Sequence, residues 1–527
     1  MTFRSDRTEA GYRAACALLS IVFLAGSLVW ALTTPAFHGP DEALHYNSVN
    51  RILSGEGWPE PYDAEVKGST WQAVGESTGS HVLFAPEEVR SLPKPPPDER
   101  SSMAGPTDLE DQTRDQMVQH PPGYYGLAAG ILQLAGGTSL SWDTALVTLR
   151  ILSAVLTAAA VPFMVGLGRR LTDSRRAGLI GATGVLAIPF FTTMGGYATN
   201  DSLLLLMTSA TLYTAVRAID APRVVPWLLA TGVGLGLALL TKGLALLLIP
   251  VIGVLGVMAL WRRDGSVVRR ALLLGLPQAV AFVIGGWWWL RNLLVLGSLQ
   301  PSQCGLPTRC AEVAPSDPPP PDFWVFTTNF LERFSRLFWG RGGLEEIAYP
   351  VVLTTTASIA VVVIVLAALA LGRRRAVVAV LLLLPTLVVV TIFRNAYGIY
   401  LDVGAPNRGV QGRYVFSGIA VLSACIAAVW ARIRPDFRLG RAADVAVTAA
   451  AAIVAVGGWV WVFERLWVRP YDGWRQGLLA ASDSVGASPW FTAGAFATFV
   501  VGLVAFAVSL LFQARPRQLA PVDEGPR

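Results

Sequence analysis

Ten residues, "FHGPDEALHY" from Phe37 to Tyr46, place two adjacent carboxylates, Asp41 and Glu42, between His38 and His45. They follow an apolar run, Ala14 to Thr33, long enough to cross a bilayer. A carboxylate held just outside a membrane can take a proton from a hydroxyl group, provided a reacting partner is held beside it. An acid in a helix first turn can also simply complement the helix dipole. That explanation covers one acid more easily than a Gly-Pro-Asp-Glu turn at a membrane face.

Other polar residues recur at the ends of apolar runs on the same face. "HPPGYYGLAAGILQLAGG" brings His120, Tyr124 and Tyr125. Asp143 and Arg150 open the next run, "GGYATND" carries Asn200 and Asp201, and Lys242 lies between two runs. "WWWLRN" contributes Arg291 and Asn292, and "FRNAYGIYLDVGAPNRGVQGRY" contributes Arg394, Arg408 and Arg413. Carboxylates among cations suit a site that binds an anionic, lipid-anchored group and abstracts a proton next to it. Each residue also has a plainer role. Arg291, beside three tryptophans, suits an interfacial anchor, Asn200 and Asp201 suit a helix start, and His45 suits a structural hydrogen bond.

The elements that must position these groups are membrane helices. The chain has 527 residues, 53% of them hydrophobic and only 15% charged, well short of the charge content of a soluble protein. The net charge of +6 is no nucleic-acid footprint, because the arginines fall in short clusters between apolar runs. Those clusters, including Arg169 and Arg170, Arg175 and Arg176, Arg262 and Arg263, and Arg373 to Arg375, read as cytoplasmic by the positive-inside rule. The expected fold is an all-α polytopic membrane protein. It has about twelve transmembrane helices, juxtamembrane helices, a large first extracytoplasmic loop, and both termini inside. Counting 121–137 as a span would turn "RRLTDSRR" outward against its four arginines, so this segment reads as a juxtamembrane or re-entrant helix. No cleavable signal peptide is evident. Cys304 and Cys310, in "CGLPTRC" of an exported loop, suggest a disulfide, with two free thiols as the alternative, while Cys16 and Cys425 lie within spans as packing residues.

Taken together, "PDEALH", "HPPGYY", "LRILSAVLTAAAVPFMVGLGRRL", "YATNDSLLLL", "GLGLALLTKGLALLLIP", "WWWLRNLLVLGSLQP" and "QGRYVF" resemble the GT-C superfamily of integral-membrane glycosyltransferases. Within it, the set is most similar to a large uncharacterised bacterial family, a domain of unknown function. The resemblance runs from about Ala31 to Phe416. It implies a GT-C-like catalytic module over 1–431 that includes extracytoplasmic loops 34–142 and 291–346. C-terminal helices over 432–513 and a cytoplasmic tail over 514–527 would follow.

The resemblance also implies an inverting transferase of a bacterial plasma membrane, acting on the extracytoplasmic side. It would take a sugar from a polyprenyl-phosphate donor and give it to a cell-envelope glycan or glycolipid. Asp41 would be the base on the acceptor hydroxyl, with Glu42 orienting it or backing it up. Arg150, Lys242, Arg291, Arg408 and Arg413 are the candidates for the donor phosphate, and His45, His120, Tyr124, Tyr125, Asn200 and Asp201 are substrate-binding candidates. No cofactor is required beyond the lipid-linked donor. A divalent metal is compatible with Asp41, Glu42 and Asp201 but not needed where arginines meet the phosphate charge. The partners expected are the bilayer, the lipid-linked sugar and the acceptor, and no nucleic acid. A flippase of lipid-linked saccharides is the rival from another class, although no internal repeat is found and the polar residues gather at one face. A non-catalytic envelope-assembly protein is a second rival.

Overall fold

The computed structural model describes the chain except for residues 1, 62–63, 78–94, 106–112, 262, 302–319, 343–346, 433–436 and 513–527. Cys304 and Cys310, and the whole of the expected tail 514–527, lie outside the described residues. Ten described helices are long and apolar enough to cross a membrane. An eleventh span forms if Arg175–Ala187 and Pro189–Gly195, bent by 85° relative to each other, are taken together. The bend falls where Pro189 opens the second half, since proline has no N–H to continue the hydrogen-bond ladder. The apolar helix Val225–Leu239 is shorter, at 15 residues. The twelve apolar runs of the sequence correspond to these ten helices, the bent pair and the short helix.

Why the runs become helices is simple in this setting. Inside hydrocarbon every backbone N–H and C=O must be bonded within the protein, and a helix does this locally. Trp142–Thr172, with 31 residues, rises about 46 Å and therefore projects beyond a hydrocarbon core of about 30 Å. The last helix, Pro489–Leu511, lies along the first, with Phe499 against Gly26 and Val22 beside Gly502. The C-terminal helices are thus packed into the bundle.

The helix Gly123–Ala135, at 13 residues, is not among the candidate spans. It starts after Pro121 and Pro122 and packs Tyr124, Tyr125, Ala128 and Leu132 into a core beside helix Glu42–Leu53. The loop containing 34–142 has no evident periodicity in sequence, yet it owns that core. Phe37, Tyr46, Trp71, Val74, Met103, Met117 and Trp142 are all buried there. Glu76, also buried, accepts hydrogen bonds from the Trp142 indole at 2.9 Å and the Ser101 N–H at 2.9 Å. The Arg100–Asp143 pair, at 2.7 Å, joins the loop to the start of helix Trp142–Thr172. In the second large loop, Asp322 caps Phe323–Trp339 by accepting from the N–H groups of Trp324 and Val325, and that helix lays aromatic side chains on Phe393, Tyr397 and Tyr400. Two short strands, Arg341–Gly342 and Ile347–Ala348, pair antiparallel behind it.

Candidate active site

The site begins where the first helix ends, at Thr33. From there the chain turns through Pro35, Phe37, Gly39 and Pro40 into helix Glu42–Leu53. Phe37 (φ 60°) and Asp41 (φ 58°) both occupy the left-handed region. That region costs an L-residue on the order of 1 kcal/mol or more, least for Asp and Asn, so something must hold the turn. Gly39 makes room: a Cβ there would lie 2.9 Å from the Tyr197 ring and 3.0 Å from the Glu42 carboxyl carbon.

Arg150 and Glu42 supply the hold. Arg150 is completely buried and uses all five of its N–H groups inside the protein. Nε and Nη2 donate to the two oxygens of Glu42 at 2.9 and 2.7 Å, a bidentate pair. The other three bonds go to the carbonyls of Ala31, Thr34 and Pro35, at 2.8, 2.8 and 2.9 Å. Glu42, 1% exposed, accepts in addition from the N–H groups of Gly39 at 3.2 Å and Ala198 at 2.9 Å. One ion pair therefore ties together the end of the first span, the start of helix Glu42–Leu53, helix Trp142–Thr172 and the segment before Asp201.

This geometry corrects the expectation of Arg150 as a phosphate ligand and, of the two roles expected for Glu42, that of a back-up base. Arg150 has no N–H left for a donor phosphate, and Glu42, with about four lone-pair sites all occupied and no exposure, does not reach a substrate. Both are positioning residues for the turn that presents Asp41.

Asp41 points the other way. Its Oδ2 accepts from Arg413 Nη2 at 2.8 Å and its Oδ1 from Gln116 Nε2 at 3.3 Å, with 30% of the side chain exposed. Lys242 Nζ donates to Asp201 Oδ1 at 2.6 Å, and Arg413 Nε stands 3.9 Å from Asp201 Oδ2, within ion-pair reach. Four charges thus alternate, Lys242, Asp201, Arg413, Asp41. The Tyr414 ring lies beside both cations, 4.8 Å from Lys242 Nζ and 5.6 Å from Arg413 Cζ.

Asp41 and Lys242 line a polar cavity of about 470 Å³, together with His45, Gln116, His120 and Tyr414. Gln119, Gln300 and Asn395 complete its polar wall. Burial lowers the pKa of His45 to about 3, and it lowers that of His120 well below the usual imidazole value. Nearby Lys242 acts in the same direction on both. Both rings are therefore neutral at pH 7. His45 Nδ1 lies 3.0 Å from Tyr125 Oη and its Nε2 is 3.5 Å from Thr199 Oγ1. His120 Nδ1, buried, has no hydrogen-bond partner among the described residues.

The other expected substrate-binding residues stand behind this wall. Tyr125 stacks between His45 (5.8 Å) and Trp58 (4.8 Å) and accepts from Asn200 Nδ2 at 3.4 Å. Tyr124 packs against His45 at 6.4 Å. These residues orient His45 and do not line the cavity. Arg291 pairs with Glu60, donates to Asn292 at 3.2 Å and lies over Trp288, while Arg408 is exposed. Neither lines the cavity, which leaves Lys242 and Arg413 as the cations beside it among those expected. Among the described residues no group of three or more His, Cys, Asp or Glu is placed to hold a metal ion.

Several cavity residues escape a reading of the sequence. Gln116 and Gln119 sit in "DQMVQHPP", three apart and directly before His120, and that spacing was the available signal. Asn395 and Tyr414 lie inside "FRNAYGIY" and "QGRYVF", where the arginines draw attention first. Asp115 is a buried hub that accepts from Asn47 Nδ2 (2.8 Å), Ser48 Oγ (2.7 Å) and the Met117 N–H (2.9 Å). It fixes the turn carrying Gln116 against helix Glu42–Leu53. Burial pushes its carboxyl pKa up against the pull of these three donors.

Residues 132–299 match the dolichyl-phosphate-mannose-protein mannosyltransferase family, a segment that holds Arg150, Asn200, Asp201 and Lys242 but neither Asp41 nor Arg413. A stretch of 149 residues is 32% identical to undecaprenyl phosphate-alpha-4-amino-4-deoxy-L-arabinose arabinosyl transferase 1 of Pseudomonas fluorescens (strain Pf0-1). It covers 28% of this chain and 26% of that protein, so the chain matches about a quarter of the curated relative's length. Among solved structures, ArnT from Cupriavidus metallidurans bound to undecaprenyl phosphate aligns over 93% of this chain and 77% of that one, with TM-score 0.47 and 15% identity. The Archaeoglobus fulgidus oligosaccharyltransferase in the apo form aligns over 90% and 56%, with TM-score 0.43 and 12% identity. The chain is a mainly helical, multi-pass membrane protein, and its residues 132–299, about a third of it, are similar to that mannosyltransferase family.

Proposed function

We propose that the protein is a glycosyltransferase that moves a sugar from a polyprenyl-phosphate donor to a cell-envelope glycan or glycolipid, with inversion at the anomeric carbon. It would work at the extracytoplasmic face of a bacterial plasma membrane, through the module 1–431. One observation carries the reading. A partly exposed carboxylate, Asp41, shares a polar cavity with Lys242 and is paired to Arg413 at the same place.

The chemistry follows from those charges. The donor phosphate enters beside Lys242 and Arg413 and competes with Asp41 for the guanidinium. Release of that pairing leaves the Asp41 carboxylate free to accept a proton. The acceptor hydroxyl gives its proton to Asp41 as its oxygen attacks the anomeric carbon from the face opposite the phosphate. The anomeric C–O bond to phosphate breaks, its electron pair stays on the departing polyprenyl phosphate, and the two cations meet the charge that grows there. His45, His120, Gln116 and Gln119, neutral and polar, offer hydrogen bonds to sugar hydroxyls.

The test incubates the purified full chain with a panel of polyprenyl-phosphate sugars and envelope glycans or glycolipids, and follows free polyprenyl phosphate. Release with one donor, lost in Asp41→Asn, supports the reading. Failure of every donor to yield polyprenyl phosphate would overturn it in favour of a flippase or an assembly protein.

A further inference from the structure

The opposite end of the bundle from Asp41 holds a second cavity, of about 420 Å³. It lies between the N-terminal part of helix Thr2–Thr33, the C-terminal half of helix Trp142–Thr172, and Tyr213. Its rim carries Glu9, Tyr12, Arg13, Arg169 and Arg170, and its floor is Cys16, Ala17, Pro162 and Gly166. The space is built by the absence of a side chain at Gly166, where a Cβ would lie 2.7 Å from the Tyr213 ring.

The rim charges do not balance. One carboxylate, Glu9, is shared by Arg13 at 3.7 Å, Arg169 at 3.5 Å and Arg175. Arg170 stands near Arg169 and Arg217, whose charges repel it, and no ion pair to it occurs among the described side chains. Tyr12 holds the arrangement, with Arg169 and Arg175 over its ring at 4.8 and 5.7 Å. Among the described side chains, four arginines around one acid leave an excess of positive charge over an apolar floor whose Ala17 and Pro162 are exposed. A free inorganic anion would find the charge but leave the apolar floor uncovered. A molecule with a phosphodiester head and a hydrocarbon chain satisfies both. Such lipids are concentrated in the leaflet where the arginine clusters place this end of the protein.

We infer that this cavity binds the headgroup and upper chain of an anionic phospholipid, separately from the Asp41 site. The measurement is native mass spectrometry of the purified full chain. It is titrated with short-chain phosphatidylglycerol, short-chain phosphatidylcholine, and phosphatidylglycerol in the presence of inorganic phosphate. Phosphatidylglycerol should be retained in preference to phosphatidylcholine, and an equal concentration of inorganic phosphate should not displace it. The double variant Arg169→Ala, Arg170→Ala should weaken that retention roughly 30-fold, whereas Arg169→Lys, Arg170→Lys should keep most of it. Ala17→Trp, at an exposed floor position, should weaken retention while leaving the rim charges in place. A thermal melt checks that each variant is folded. If the double alanine variant does not fold, the lysine and Ala17→Trp variants decide the matter. Equal retention of the two lipids, displacement by phosphate alone, or unchanged retention in the Ala17→Trp variant would each overturn the assignment.

Discussion

The two neighbouring acids, Asp41 and Glu42, should fail in opposite ways. Glu42→Gln leaves the Arg150 guanidinium, 0% exposed, without its counter-charge. Breaking a buried ion pair from one side costs about 3–5 kcal/mol, because the remaining charge is still desolvated. The three carbonyl bonds of Arg150 survive, which favours the lower end of that range. The melting midpoint in detergent should then fall by on the order of 3 °C. Asp41→Asn is different. Asn tolerates the left-handed backbone at φ 58° and its carbonyl can still accept from Arg413, so stability should change by under about 1 kcal/mol. Turnover should nevertheless drop by roughly a hundredfold or more, the scale of a lost general base. The assay pairs a thermal melt with release of polyprenyl phosphate from the donor that supports turnover. The reasoning is refuted if Asp41→Asn turns over at the parental rate, or if Glu42→Gln loses turnover with its melting midpoint unchanged.

Three further outcomes are expected. Arg413→Gln should weaken donor binding as well as turnover, since its partner phosphate is charged before and during reaction; equilibrium binding of an unreactive polyprenyl phosphate measures this. Gly39→Ala should lower the melting midpoint through the contact of its Cβ with the Tyr197 ring, at a cost of about 1–3 kcal/mol, and a midpoint equal to the parent's would show that the turn yields freely. His45 and His120 have folded pKa values far below the unfolded value of 6.5, so the unfolded chain alone takes up protons as pH falls. Full stability is present above about pH 6.5 and decreases below it, by about 2 kcal/mol for His45 at pH 5, with His120 acting in the same direction. Melting midpoints between pH 7.5 and 5 check this, and His120→Gln should flatten the slope.

The legible part of this protein was whatever depends on a residue and its near neighbours. Hydropathy is a sum of local transfer free energies, so twelve apolar runs could be counted, and arginine clusters marked one face without reference to packing. The motifs around Asp41, His120, Asp201, Lys242 and Arg413 were legible for the same reason, as polar groups at span ends where an ordinary helix needs none. The sequence could not rank them. Arg150 and Arg413 look alike as lone arginines near one membrane face. Helix rotation and packing turn Arg150 onto Glu42, 108 residues away, and Arg413 onto Asp41, 372 residues away. The small core of the loop containing Trp71 and Trp142 was hidden likewise, because its partners come from separated segments that share no periodicity. Within one turn, two adjacent acids received opposite duties. The first residue of a helix and the residue before it project in different directions, so Glu42 faces the buried Arg150 while Asp41 faces the cavity. That difference arises from three-dimensional packing, and no pattern of residue types along the chain encodes it directly.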